Sequence, residues 1–255
     1  MLYKSFLAAL TIGLCSAPAL AQTADKNNLS VKLSFSKSDS SDLGRDRERV
    51  VTTLRYTRKL APRASAFIYA YNANLDATNP FGTSDADING FGFGATFNIS
   101  KLTIATLAFA FNDNAEVFSA AGGPTTSDGD AKTVVIGLQR LVGIGRKSSL
   151  VASVNHAVSH LDQNFTGTPF NDTRHITTLG LQYSQKVAAK TTLSVGAKSL
   201  FSNENITSHL VDQANYISLG ASHKFGKAQV SLTGSAGIGS VSGDSSIGLK
   251  ISRSF

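Results

Sequence analysis

The chain predicts an all-β protein, an antiparallel up-and-down transmembrane β-barrel of about twelve strands. Alternation of apolar with small or polar residues recurs along its length, while helix-period patterns are scarce. The alternating runs mostly reach ten to twelve residues, the length of a tilted bilayer-crossing strand, whereas soluble strands average about five or six. Short and long connectors take turns between the runs, and charge sorts with them.

The strands follow in order. Leu29–Lys37 carries Ser30, Lys32, Ser34 and Ser36 on one face, with Phe35 on the other. Arg49–Lys59 sets Thr53, Arg55 and Thr57 against Leu54 and Tyr56. Ala64–Asn74 is apolar on both faces through Phe67, Ile68, Tyr69, Ala70 and Tyr71, so its sides stay open. Ile88–Ile99 has a small-residue face (Gly90, Gly92, Gly94, Thr96) and finishes near Phe97. Leu102–Phe111, Thr133–Val142 and Ser149–His160 continue the alternation. Arg174–Lys186 brings Tyr183 to its apolar face. Thr191–Phe201 presents Ser194, Gly196 and Lys198, and Ala214–Phe225 presents Ser218, Gly220, Ser222 and Lys224. Ala228–Ile238 presents Gln229, Ser231, Thr233 and Ser235. Ser245–Phe255 sets Gly248, Lys250 and Ser252 against Ile247, Leu249, Ile251 and the terminal Phe255.

Connectors after odd-numbered strands are long: 38–48, 75–87, 112–132, 161–173, 202–213 and 239–244. Those after even-numbered strands are short: 60–63, 100–101, 143–148, 187–190 and 226–227. All 17 acidic residues fall outside the expected strands, 16 of them in or beside long connectors, with Asp25 ahead of the first strand. The short-turn end carries Arg58, Lys59, Arg63, Lys101, Arg146, Lys147, Lys186, Lys190, Lys227 and Arg253. The net charge of +7 therefore does not form a nucleic-acid-binding patch. Two ends facing different compartments account for the sorting. Tyr56, Phe97, Tyr183 and Phe225 form an aromatic girdle at the short-turn rim, and Phe35, Phe111 and Phe201 lie near the other.

Residues 1–21 have the layout of a cleaved secretory signal: Lys4, an apolar run from Phe6 to about Ala17, then Ala19-Leu20-Ala21. The run is too short to span a bilayer as a helix. Cys15 is the only cysteine and lies inside that run, so the mature chain is expected to fold without disulfides. Residues 22–28 are expected to form a short periplasmic segment and 29–255 the barrel.

With the apolar face toward lipid, the other face lines a lumen that reads small, hydroxylated and basic. Lys32, Arg55, Lys198, Lys224 and Lys250 would enrich anions there. Ser, Gly and Thr walls favour a narrow water-filled bore at this strand count. The 112–132 connector, with the Gly90/Gly92/Gly94 stripe nearby, is the candidate for a loop folded inward.

Other chemistry is thin. His156, His160 and His175 cluster near one end of strands seven and eight without a partnering His-x-Ser, so a lipid-modifying enzyme is the least favoured reading. Asp85–Gly90 begins like a calcium loop but has Thr96 at the twelfth position. Gly143–Ser148 has the wrong spacing for a phosphate loop. No cofactor or metal is expected, and the chain is read as a non-enzyme.

The final strand, with Leu249, Ile251 and Phe255, resembles the C-terminal sorting strand of bacterial outer-membrane barrels, with Arg253 at a position usually apolar or aromatic there. That resemblance implies recognition by the barrel-assembly machinery and residence in the outer membrane among its lipids and lipopolysaccharide. The mature length is also similar in pattern to twelve-stranded autotransporter translocation domains and small porins. Residues 22–28 are too short for the helix that threads an autotransporter. Passive diffusion of small, anionic solutes is therefore the first expectation, with a translocator-like or adhesive closed barrel as the alternative.

Overall fold

The computed structural model describes residues 27–40, 43–120, 123–143, 145, 147–165, 167–206 and 208–255. Residues 1–21, expected to be a signal, and most of 22–28 lie outside them, as do Asp25, Asp42 and Arg146. Twelve antiparallel strands form one closed barrel. They are β1 (Asn27–Ser40), β2 (Arg45–Ala61), β3 (Ala64–Asn79), β4 (Gly82–Asn98), β5 (Thr103–Ala120), β6 (Gly123–Gly143), β7 (Ser148–Phe165), β8 (Thr168–Lys186), β9 (Thr191–Ser202), β10 (Gln213–Phe225), β11 (Ala228–Ile238) and β12 (Ser245–Ser254). Each pairs with its sequence neighbour, and β12 closes onto β1.

Closure is made by the ends of the chain. Lys32 lies opposite Lys250 and Leu33 opposite Leu249. The backbones of Asn27 and Phe255 exchange two hydrogen bonds, of 3.2 and 3.1 Å. No edge remains, so every backbone group of the spanning strands is paired without water.

The pleat decides which face meets what. Leu29, Val31, Leu33 and Phe35 stand exposed on the outside of β1. Ile247, Leu249 and Ile251 match them along β12, with exposed Phe255 just beyond its end. Leu54, Leu181, Leu219 and Leu232 point outward on other strands, Leu219 being 69% exposed. A continuous apolar belt of this extent is stable only against hydrocarbon. Tyr56, Phe97, Tyr183 and Phe225 stand on that outer face toward the end holding the termini. Tyr56 Oη donates to Asn27 Oδ1 (2.9 Å) and Tyr183 Oη to Gln185 Oε1 (2.7 Å), so each ring faces the belt while its hydroxyl is satisfied at the rim. Toward the other end, Phe91, Phe93, Phe109 and Phe111 stack across β4 and β5, with Phe91–Phe111 and Phe93–Phe109 centroids both 5.4 Å apart.

The strands run further than the sequence suggests. Segments 75–87, 112–132 and 161–173, expected as loops, mostly continue as paired strands, and β6 alone has 21 residues. Twelve acids expected outside strands lie within them: Asp39, Asp46, Glu48, Asp76, Asp85, Asp87, Asp113, Glu116, Asp128, Asp130, Asp162 and Asp172. Beyond the hydrocarbon, the outward face no longer needs apolar residues. Hydropathy alternation fades there while backbone pairing persists. Asn72 donates to Asn89 (2.9 Å), and Lys37 pairs with Glu48 (3.6 Å), on this wetted outer face.

Candidate functional site

β3 settles its own sides: Phe67, Tyr69, Tyr71, Ala73 and Leu75 are buried and point inward, while Ile68 is 60% exposed to the outside. The rings form a ladder, Phe67–Tyr69 at 6.1 Å and Tyr69–Tyr71 at 6.2 Å between centroids. They lie over the glycines of β4, in register: Phe67 opposite Gly94, Tyr69 opposite Gly92, Tyr71 opposite Gly90. A Cβ on any of these glycines would collide with the ring beside it. The stripe is thus a seat for three rings, which corrects the expectation that it leaves space for an inward loop. The 112–132 segment is not such a loop. Residues 112–120 pair with 123–131, so their backbone is committed to the wall.

The lumen has two unlike sides. From β3 to β7, the aromatic ladder continues into Ala86, Ile88, Ala108, Ala110, Val135 and Ala157 as one buried apolar cluster. Hydroxylated residues face inward on β9–β12, β1 and β2, as at Ser30, Ser34, Thr53, Ser231 and Ser252, and polar residues are also buried beside the apolar cluster from β4 to β8, as at Ser84, Asn112, Thr133, Asn155 and Ser159.

The candidate cations occupy different places. Lys32, Arg55 and Lys250 gather on the adjoining strands β1, β2 and β12. The Arg55 guanidinium carbon lies over the Phe67 ring, 3.8 Å from its centroid. Lys198 stands apart on β9, its Nζ 4.8 Å from the Tyr216 ring centroid. Lys224 has inward parity but sits exposed near the terminal end of β10. Leu249 and Ile251 are 40% and 50% exposed on the outer face of the closing strand, and Phe255 beyond it is 52% exposed.

Sequence reading missed Arg47, Arg49 and Arg174. Arg49 and Arg174 are 5% and 1% exposed and face inward toward the end opposite the termini. The signal was present in Arg45-Asp46-Arg47-Glu48-Arg49: charges alternating in sign along a strand place the basic members on one face and the acidic on the other. Among the described strand carboxylates, only Glu116 and Asp172 have inward parity, on β5 and β8 near the far end.

That far end is partly filled by the 203–212 connector rather than by 112–132. Ile206 packs with inward-facing Ile176, Leu200, Ala214 and Tyr216, and with Val241. Ser208 hydrogen-bonds Ser38 of β1 through its side chain, and its backbone N–H donates to Ser38 Oγ (3.3 Å). Asp244 accepts from Tyr216 Oη (2.7 Å) and meets His209 Nε2 at 3.1 Å.

His156, His160 and His175 lie on the outer face. His156 and His175 rings are 5.8 Å apart, with His156 Nδ1 2.9 Å from Thr177 Oγ1 and His160 Nδ1 3.0 Å from Thr173 Oγ1. No serine joins them as a nucleophile within these contacts. Asp85 and Asp87 point outward on β4 while Ala86 and Ile88 point in, so this extended segment does not curl around a cation.

No protein-family model and no curated protein sequence matches the chain. Solved structures do. The translocator domain of the autotransporter NalP from Neisseria meningitidis is 12% identical, with 98% of this chain and 93% of that one covered at a TM-score of 0.74. The transport unit of the autotransporter AIDA-I from Escherichia coli is 12% identical, covering 98% and 97% at 0.67. An outer membrane channel from Pseudomonas putida F1 is 12% identical, covering 92% and 97% at 0.60. At this identity the likeness is one of fold: the chain is a closed twelve-stranded barrel of the type built by autotransporter translocator domains and outer-membrane channels.

Proposed function

We propose that this chain is an outer-membrane barrel that passes small solutes through its lumen by passive diffusion, with a bias toward anions and no chemical step. The observation that carries this reading is the imbalance of inward charge. At membrane depth the strands aim Lys32, Arg55, Lys198 and Lys250 into the lumen, and the two inward strand carboxylates stand near the far end. A lumen with fixed positive charge and low-dielectric walls raises the local concentration of anions. In this reading the terminal end faces the periplasm, residues 1–21 direct export and are removed, and Leu249, Ile251 and Phe255 present the strand read by the assembly machinery. The belt and its aromatic rims contact outer-membrane lipid, and the acidic far end faces lipopolysaccharide and the exterior.

The test is a planar-bilayer recording of the purified protein in a potassium chloride gradient. A reversal potential displaced toward the chloride equilibrium value supports the reading, and a displacement toward the potassium value refutes it. A second reading, a closed translocator-like or adhesive barrel, is favoured by Ile206 and Ser208 tucked into the far mouth. It predicts no steady current.

A further inference from the structure

We propose that the inward edge of β5 is a binding strip for a neutral, polyhydroxylated solute with the chemistry of a short sugar. The proposal depends on the channel reading above only for access of the solute to the lumen. Asn112, Asn114 and Glu116 take successive inward positions on β5, so they project from one wall within a span of about 13 Å. All three are buried, Asn114 to 3% exposure. Neither the oxygen nor the nitrogen of either amide has a hydrogen-bond partner among the described residues, and Glu116 Oε2 has none. Register brings two hydroxyls to the strip. Ser127 of β6 lies directly opposite Glu116, and its Oγ also lacks a partner. Tyr71 arrives from the other side, across β4. Gly90 pairs with Tyr71 on one flank and Asn112 on the other, and a Cβ on Gly90 would meet the Tyr71 hydroxyl. Tyr69, one step along the ladder, shows that this reach is real: its hydroxyl crosses β4 and donates to the Phe109 carbonyl of β5 (3.3 Å). The Tyr71 hydroxyl lies over its glycine in the same way, beside Asn112, and has no partner of its own.

A buried amide that makes no hydrogen bond costs stability. A wall that only needed filling would continue as Ala108 and Ala110 do on the same face of β5. Instead the chain sets two whole amides, two hydroxyls and a carboxylate oxygen side by side with their bonding capacity unspent. That capacity selects the ligand. An anion would engage only the Nδ2 groups and a cation only the Oδ1 atoms, whereas each hydroxyl of a sugar both donates and accepts. The Tyr71 and Ser127 hydroxyls are matched by the same chemistry. Gln163 of β7 covers the strip. Asn114 lies opposite Gly129, Gly129 opposite Gln163, and Gln163 Cγ leans to 2.9 Å from where a Cβ on Gly129 would stand. Tyr71 is held in its stack with Tyr69, so the longer-stemmed Gln163 is the part that yields to admit the solute.

The experiment uses the full mature barrel in detergent, with equilibrium dialysis of radiolabelled maltose and triglycine and with melting followed by circular dichroism. Maltose is expected to bind saturably and more tightly than triglycine. N112L and N114L keep the size of the side chain without its amide, and each should weaken maltose binding by about tenfold or more. N72A, on the wetted outer face, leaves it unchanged. Without sugar, N112L and N114L should melt at or above the wild-type temperature, because a buried group lacking partners gives way to an apolar one. Asparagines that serve the fold alone would give the opposite sign. Absence of saturable maltose binding, undiminished binding by both variants, a lower melting temperature of both without sugar, or tighter binding of triglycine overturns the strip. Maltose binding without bilayer current keeps the strip and removes the channel; chloride-selective current without maltose binding does the reverse.

Discussion

Substituting Gly90 by Ala probes the ring-on-glycine wall directly. Gly90 is not among the glycines with positive φ, so alanine meets no backbone strain there. Its Cβ would come within 2.6 Å of Tyr71 Cε1 and closer still to Cζ and Oη. Tyr71 is 7% exposed and its ring stacks on Tyr69, which in turn leans on Phe67. Relief therefore requires moving a ladder, and overpacking of this kind costs about 1–3 kcal/mol. Once the ring is removed by Tyr71→Ala, the same Gly90→Ala change should be neutral or stabilising by about 0.5 kcal/mol, since it only restricts the unfolded chain. The coupling in a double-mutant cycle is thus about 1–3 kcal/mol, with the sign of the Gly90→Ala effect reversed by Tyr71→Ala. Urea unfolding of the barrel in lipid vesicles, followed by circular dichroism, measures all four species. A coupling below about 0.5 kcal/mol would show that Tyr71 does not rest on Gly90 and that β3 faces its aromatics elsewhere.

Three further substitutions test other parts of the molecule. Leu219→Arg, in the middle of the outer belt, should destabilise the barrel in lipid by about 2–4 kcal/mol, whereas Ser218→Arg on the inward face should cost much less; equal costs in urea titrations would argue against the assigned faces. Asp244→Asn should lower stability by about 1–3 kcal/mol by weakening its contacts with Tyr216 Oη and His209, read from the same titrations. Removing Phe255 should reduce the yield of folded barrel in outer membranes more than it lowers the unfolding midpoint of refolded protein, a comparison made by quantitative blotting beside vesicle titrations.

Much of the fold was legible because the hydrocarbon imposes a rule on sequence. Where strands cross it, the outward residues must be apolar, and the alternation around Lys32, Lys198 and Lys250 marks both faces. Outside it the rule lapses. Asp85 and Asp87 on β4, or Asp128 and Asp130 on β6, then look like loop residues although their backbones are paired. β3 failed for a different reason: alanine, aromatic and aliphatic residues on both sides leave no hydropathy contrast. Its faces are fixed by a neighbour, because only the glycines of β4 can accept the rings, and that match lies between strands rather than within one.

The same contrast bears on function. A lumen lined evenly with small polar residues would be a simple water-filled tube. Here the aromatic ladder fills one side and supports the cations on the other, Arg55 directly through Phe67. The rings therefore narrow the path, and Phe67 gives the Arg55 guanidinium a face to rest on. Position matters as much as sign: Lys198 stands on β9 beside Tyr216, several strands from Arg55, and Lys224 lies at the exposed end. Five inward cations spread evenly would give a diffuse field and modest selectivity. Lys32, Lys250 and Arg55, on three adjacent strands, place positive charge on one wall of the lumen rather than around it.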